Sequence, residues 1–569
     1  MRRGLFVLAG ILFVVGSLTV AIVSTSKAKV TSRAVTMHGE HSITITPWGP
    51  DQQTIDAAKT RVSAHPDVVK YLRGTLNRML SFDFIDNDTK ATGRSEPPTR
   101  FRAMIFDYTN NRTVVAEGGF YDSTMEVTLS NFQPNPSPEE FQAAIDIVAA
   151  DPDLGPAITG KKYEPYSAMP PLITDPSVIK GKPERTITVG LFPTDNKYLH
   201  EVIGVNMVRR TVVRFLGGAP PSSNAGELNC GVPSAGQGST SRGTAGQFEI
   251  VISRDGTEFW RFICIRPAAS SGADASGIEL RDVRYQGKMV LSRANAPILN
   301  VQYERNLCGP FRDWSWQEGM FDAPGVDVPG TNGGIRMCTS PPGSVLDNGT
   351  DFGNYRGVAV WDREEVRLVS EMNAGWYRYI SEWRFHDDGV IQPLFGYGAT
   401  TNSCVCRIHV HHVYWRLDFD LVTAGNNNLY ENKDGLRKQL TGEGMLLRNG
   451  NTQNWVVENA ATGEAVVIEP GPLDGNADKY GVGDVFFLLS KFPLEIDDTL
   501  QPPNPPPHNI STAARLLPMV NGESIANQDI VVWYAGHWRH EHFDGPIQAG
   551  PNHGGGPNVH GPFLRLAKY

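Results

Sequence analysis

At 569 residues the chain is too long for one hydrophobic core, which sets an expectation of two to four domains. Its formal net charge of -9 comes without long like-charge runs, so it carries no electrostatic footprint for nucleic acid and none is expected as a partner. The 58 glycines and 40 prolines, set among many short Val, Ile, Thr, Tyr and Phe runs, indicate frequent turns and a mainly β architecture.

Arg2 and Arg3 precede Leu5 to Val23, an almost wholly apolar run of 19 residues. Residues 1–28 therefore read as a secretory signal or a signal anchor, the run being long enough to span a bilayer with the arginines on the cytoplasmic side. Either way the rest of the chain is expected in the secretory pathway, extracellular or at the cell surface. There the sequons at Asn87, Asn111, Asn348 and Asn509 become glycan acceptors. Cys230, Cys264, Cys308, Cys338, Cys404 and Cys406 become disulfide candidates. In Cys404-Val-Cys406, disulfides to other partners are expected rather than a metal motif.

Thr54 to Met79 has helical periodicity, followed by a hairpin from Phe101–Tyr108 and Thr113–Phe120 that turns at Asn110-Asn111. These define a small α+β domain over 45–135. A second, over 136–216, opens at Ser137-Pro-Glu-Glu140. Ser is a natural N-cap, Pro suits the first helical position and carboxylates favour a helix N-terminus. Phe141, Ala144, Ile145 and Val148 form its buried stripe, and strands around Thr186–Phe192 and Val202–Phe215 complete it. Residues 217–247 are rich in Gly, Ser, Pro and Ala and read as a linker. Beyond them, 248–569 reads as a large β-sandwich, with strands such as Phe248–Ser253, Phe259–Ile265, Val358–Trp361, Tyr379–Phe385 and Ile530–Trp533. The Pro-rich stretch Gln501–His508 is a loop within it.

The chemistry concentrates in Arg407-Ile-His-Val-His-His-Val-Tyr-Trp-Arg-Leu-Asp-Phe-Asp420. On a strand, residues i and i+2 share a face, so His409 and His411 can hold one Cu(II) or Zn(II) ion, and Asp418 and Asp420 share a face further along. A third ligand has to come from elsewhere, and His537, His540 and His542 are the candidates. No His-Glu-x-x-His arrangement supports a zinc hydrolase.

His409-Val-His411 followed by Arg416-Leu-Asp418 resembles the copper-site strand of the copper-dependent, topaquinone-containing primary amine oxidases. Gly277–Tyr285, Val301-Gln-Tyr303, Met320-Phe-Asp-Ala323 and Gln528–Trp533 resemble further segments of that family. The resemblance extends over residues 50 to 569 and is specific in the last 300. It implies His409, His411 and His540 as copper ligands, the last lying seven residues after Trp533. It also implies a second metal site, usually calcium, at Asp418, Asp420, Asp529 and the carbonyl of Ile530, hard oxygen donors that suit that ion. Tyr377, in Asn373-Ala-Gly-Trp-Tyr-Arg-Tyr379, takes the position of the tyrosine that becomes topaquinone. Asp322 takes that of the base that abstracts the substrate α-proton, with Asp327 as a nearby alternative, and Tyr303 that of the tyrosine that hydrogen-bonds the quinone.

The implied activity is oxidative deamination of a primary amine by oxygen to an aldehyde, ammonia and hydrogen peroxide, in a homodimer. Trp376 and Arg378 depart from the family's residues flanking the quinone tyrosine, and Pro324-Gly325 departs from its Gly-Glu. The run after His540 departs too, and Cys338 lacks the family's partner cysteine. These departures leave open a second outcome, a catalytically impaired homologue serving as an extracellular copper-binding or adhesion protein.

Overall fold

The computed structural model describes residues 33–36, 41–85, 96–173, 183–194, 198–214, 230–231, 246–271, 275–301, 303, 317–343, 353–400, 402–449, 452–478, 481–491, 512–540 and 559–569. The apolar run at 5–23, the sequons at Asn87, Asn348 and Asn509, Cys308, the Pro-rich stretch 501–508 and His542 lie outside them. Among the described residues, no helix is long and apolar enough to cross a membrane.

Near the N-terminus, Asp51 caps the helix Gln52–Ala64 by accepting from the Thr54 N–H at 2.8 Å. The expected single helix to Met79 is corrected, because Pro66 has no N–H and its ring forces His65 out of the helical region. A second helix, Pro66–Leu72, starts there, Gly74 turns the chain with φ +72°, and Asn77–Ile85 is a strand. That strand leads a four-stranded antiparallel sheet with Arg100–Asp107, Arg112–Gly119 and Met125–Ser130. The expected hairpin is present, closing on Asp107 opposite Arg112 with Asn111 at φ 47°. Ala58, Val62 and Val68 pack on the alternate residues Phe101, Ala103 and Ile105. Asn111 donates its amide to the Pro183 carbonyl at 3.0 Å, so this acceptor is already engaged within the fold.

The second helix-plus-sheet element begins where the capping signal places it. Ser137 Oγ accepts from the Glu140 N–H at 3.2 Å and the helix runs Pro138–Ala149. Its buried stripe is Phe141, Ala144, Ile147 and Val148; Ile145 is only partly buried. It covers a sheet of Tyr163–Ile173, Thr186–Pro193, Glu201–Asn206 and Thr211–Val213. Glu140, fully buried, takes a two-point contact from Arg185 at 2.6 Å and the Tyr108 hydroxyl at 2.6 Å. A charge pair this deep keeps both members only with such complete hydrogen bonding.

Two large sheets face one another across one apolar core that draws Val413, Trp415 and Leu417 from one and Leu368, Trp383 and Phe395 from the other. Among the described residues, the first sheet has ten strands and the second thirteen. This is the expected sandwich. Ser42–Pro47 pairs with Gln247–Arg254, Pro47 opposite Phe248, so residues 45–47 belong to the large sheet rather than to the first small domain. Within the expected linker, Cys230 bridges Asn402 and forms a disulfide with Cys406. Cys404 is disulfide-bonded as well, whereas Cys264 and Cys338 are buried thiols.

His41 fastens the N-terminal strand to the opposite layer. Its Nδ1 lies 2.5 Å from Asp362 and its Nε2 2.7 Å from Asp387, which also pairs with Arg254. Burial works to lower the His41 pKa, but the two carboxylates outweigh it and the net shift is upward. Stability from a raised histidine is fully present below the unfolded pKa of about 6.5 and is lost as pH rises through the folded value. The melting temperature of the wild type is therefore expected to exceed that of His41→Gln most at pH 6. Calorimetry should show the gap closing toward pH 9.

Candidate metal and tyrosine site

Two neighbouring strands of the first sheet and one of the second supply the site. His409–Phe419 runs antiparallel to Ile530–His540 with His409 directly opposite His540. Alternation puts His411 on the same face, and all three imidazoles are buried. Tyr377 opens the strand Tyr377–Phe385 in the facing sheet. The hairpin before it closes on Ala374 opposite Tyr377, with Gly375 at φ +60° and Trp376 as its two loop residues.

The Tyr377 hydroxyl, on a fully buried side chain, lies 2.6 Å from His409 Nε2 and within hydrogen-bonding distance of His540 Nδ1. The His411 ring centroid is 4.6 Å from that of Tyr377. His409 Nδ1 is held by the Arg407 carbonyl, which turns Nε2 toward the tyrosine. His411 Nδ1 lies 3.3 Å from the Tyr379 hydroxyl, and its buried Nε2 has no hydrogen-bond partner. One ring nitrogen from each histidine lies within 4.8 Å of the others. Burial first, and then the neighbouring imidazoles, hold the pKa of His409 and His411 well below the ordinary histidine value. Imidazole nitrogens gathered about one point suit a borderline transition-metal ion, and the orphaned Nε2 of His411 is otherwise an unexplained cost. The donor set fits copper.

His537 pairs opposite His412 on the reverse face of the sheet, Nδ1 to Nδ1 at 2.9 Å. It therefore does not join the triad. Tyr303 follows Lys288–Val301, where Val301 is opposite His411, and its ring centroid lies 4.4 Å from that of His409. Tyr397, absent from the sequence reading, stacks on His411 at 4.1 Å. Its signal was the alternation of Phe395, Tyr397 and Ala399 along a core strand. Arg378 points to the other face, its guanidinium donating to the carbonyls of Gly375 and Tyr377 at 3.2 and 3.0 Å.

Asp322 is half-buried, and its main chain bridges Gly343. Its neighbours Phe321 and Ala323 pack with Ala359, Val369 and Ile380. Ile380 alternates with Tyr377 and Tyr379 along one strand, so this cluster lies on the reverse of the sheet from the Tyr377 ring. Asp327 pairs with Arg336 at 2.6 Å.

Asp418, Asp420 and Asp529 form a second group with carboxylate oxygens within 4.8 Å of one another. The Phe419–Ile530 pair precedes it in the ladder. Asp418 occupies an even position of the strand whose odd positions carry His409 and His411, and Asp420 directly follows the strand, so the two groups lie on opposite faces. Asp418 also accepts from Arg416 at 3.2 Å.

A buried histidine triad at the ends of two interior strands of a large sandwich thus faces a buried tyrosine from the opposite sheet. The sequence matches no family model and no curated protein. The solved copper-containing benzylamine oxidase from Hansenula polymorpha matches over 91% of this chain and 97% of its own, with a TM-score of 0.58 and 12% identity. Lysyl oxidase from Pichia pastoris matches over 91% of this chain and 90% of its own, with a TM-score of 0.55 and 12% identity. Amine oxidase from Aspergillus nidulans covers 94% of this chain and 90% of its own, with a TM-score of 0.54 and 12% identity. The chain has the fold of the copper-containing amine oxidases.

Proposed function

We propose that the chain is a copper-dependent oxidoreductase that deaminates primary amines with oxygen, giving aldehyde, ammonia and hydrogen peroxide. The observation that carries this reading is the Tyr377 hydroxyl placed between His409 Nε2 and His540 Nδ1. A phenol ring held against a metal triad is in position for its own oxidation to topaquinone, an electrophilic carbonyl that would accept the electrons of the amine. His409, His411 and His540 hold copper; Tyr377 is the precursor. Tyr379 and Tyr397 fix the His411 ring, and the apolar core around them excludes water. Tyr303 borders the same space and orients polar groups there. The carboxylates of Asp418, Asp420 and Asp529, with the Ile530 carbonyl, suit calcium.

The Cys230–Cys406 disulfide favours an oxidising compartment, in keeping with a secreted or membrane-anchored protein, which by its resemblance is a homodimer. The role of Asp322 as base rests on the resemblance alone. The departures at Trp376, Arg378 and Pro324-Gly325 support a second reading, a metal-binding relative without turnover. Aerobic incubation of the copper-loaded protein with benzylamine and with a short alkylamine separates the two. Peroxide and aldehyde in equal amounts support the oxidase, and copper uptake without either product supports the binding protein.

A further inference from the structure

Trp376, directly before Tyr377, is fixed at its backbone: its carbonyl accepts from the Thr400 N–H at 2.7 Å and from the Thr400 hydroxyl at 3.0 Å. The indole is 7% exposed and donates Nε1–H to the Tyr303 oxygen at 3.0 Å. An indole can only donate, so the Tyr303 oxygen is the acceptor of this bond. Tyr303 in turn lies against His409. Elsewhere the indole meets Tyr166 edge-on at 5.9 Å and His200 at 5.5 Å. Those two rings stack on one another and share a hydrogen bond of 2.6 Å. Both belong to the segment that forms the second helix-plus-sheet element, so this hydrogen-bonded pair of rings links that element to Trp376.

We infer that Trp376 is a positioning residue that sets the orientation of Tyr303 against His409, with the Tyr166–His200 pair as its seat. The inference rests on the reading of His409, His411 and His540 as copper ligands. It assigns a task to the residue that departs from the resembled family, a task that uses both the indole N–H and the edge-on aromatic contacts of its ring.

The test compares the full-length copper-loaded wild type with Trp376→Phe, Tyr303→Phe and the double variant by Cu(II) electron paramagnetic resonance and by steady-state kinetics. Trp376→Phe is expected to keep its copper but shift the Cu(II) spectrum, and Tyr303→Phe, which removes one oxygen and keeps the ring, to give the same shift. The double variant should add nothing, since the two residues act through one contact. Where amine turnover is measured, kcat is expected to fall roughly tenfold with KM within about twofold, the scale of one oriented hydrogen bond. An unchanged spectrum in Tyr303→Phe, or additive shifts in the double variant, would overturn the inference while leaving the copper reading intact. A wild type that takes up no copper overturns both.

Discussion

Tyr377→Phe is expected to bind copper as the wild type does yet to lose amine oxidation by more than about 10³-fold, which corresponds to about 4 kcal/mol of barrier. The hydroxyl is both the first oxygen of any quinone and the group that satisfies His409 Nε2 and His540 Nδ1 in the metal-free protein. Removing it leaves two buried nitrogens without that partner, a cost of about 1–3 kcal/mol. The metal-free variant should therefore melt below the metal-free wild type. With copper bound, those nitrogens are occupied and the gap should nearly vanish. Calorimetry with and without copper, beside a peroxide assay, checks all three. Turnover retained by the phenylalanine variant would remove Tyr377 from the chemistry.

The second large effect is expected from His411→Ala. Its Nε2 is the buried atom without a protein partner, so its loss costs the fold no hydrogen bond at that atom but takes away one of three ligands. Copper added at about 100 times its dissociation constant stabilises a protein by about 2.7 kcal/mol. The wild-type melting temperature should rise accordingly, while that of His411→Ala should stay put and elemental analysis should find its copper reduced to a small fraction. The double variant His409→Ala with His540→Ala should behave likewise. A copper-induced rise that survives in these variants would place the metal elsewhere.

Much of this site was legible because a strand has a period of two. His409 and His411 could be paired from spacing alone, and the antiparallel register that sets His540 opposite His409 follows the ladder from the Trp533 region. The same arithmetic, an odd position against an even one, sets Asp418 on the other face from His411. The helix expected to reach Met79 failed at Pro66, a local signal outweighed by apparent periodicity. Asp322 was legible only through resemblance, since the face of a sheet against which a short segment packs is set by tertiary contacts with Ala359, Val369 and Ile380, not by its own residues. Ser137, by contrast, was read correctly because capping is local chemistry. Trp376 looked like a mere departure, and its partners Tyr166 and His200 are too distant in sequence for any pattern to join them.

Tyr377 is proposed to become the redox cofactor. Peptide mass spectrometry of the segment around Tyr377, after expression with copper and oxygen and alongside phenylhydrazine labelling of the intact protein, tests it most directly. A modified Tyr377 that forms the hydrazone is the predicted result. An unmodified tyrosine in a fully copper-loaded protein would contradict the account and leave a metal-binding protein built on an oxidase fold.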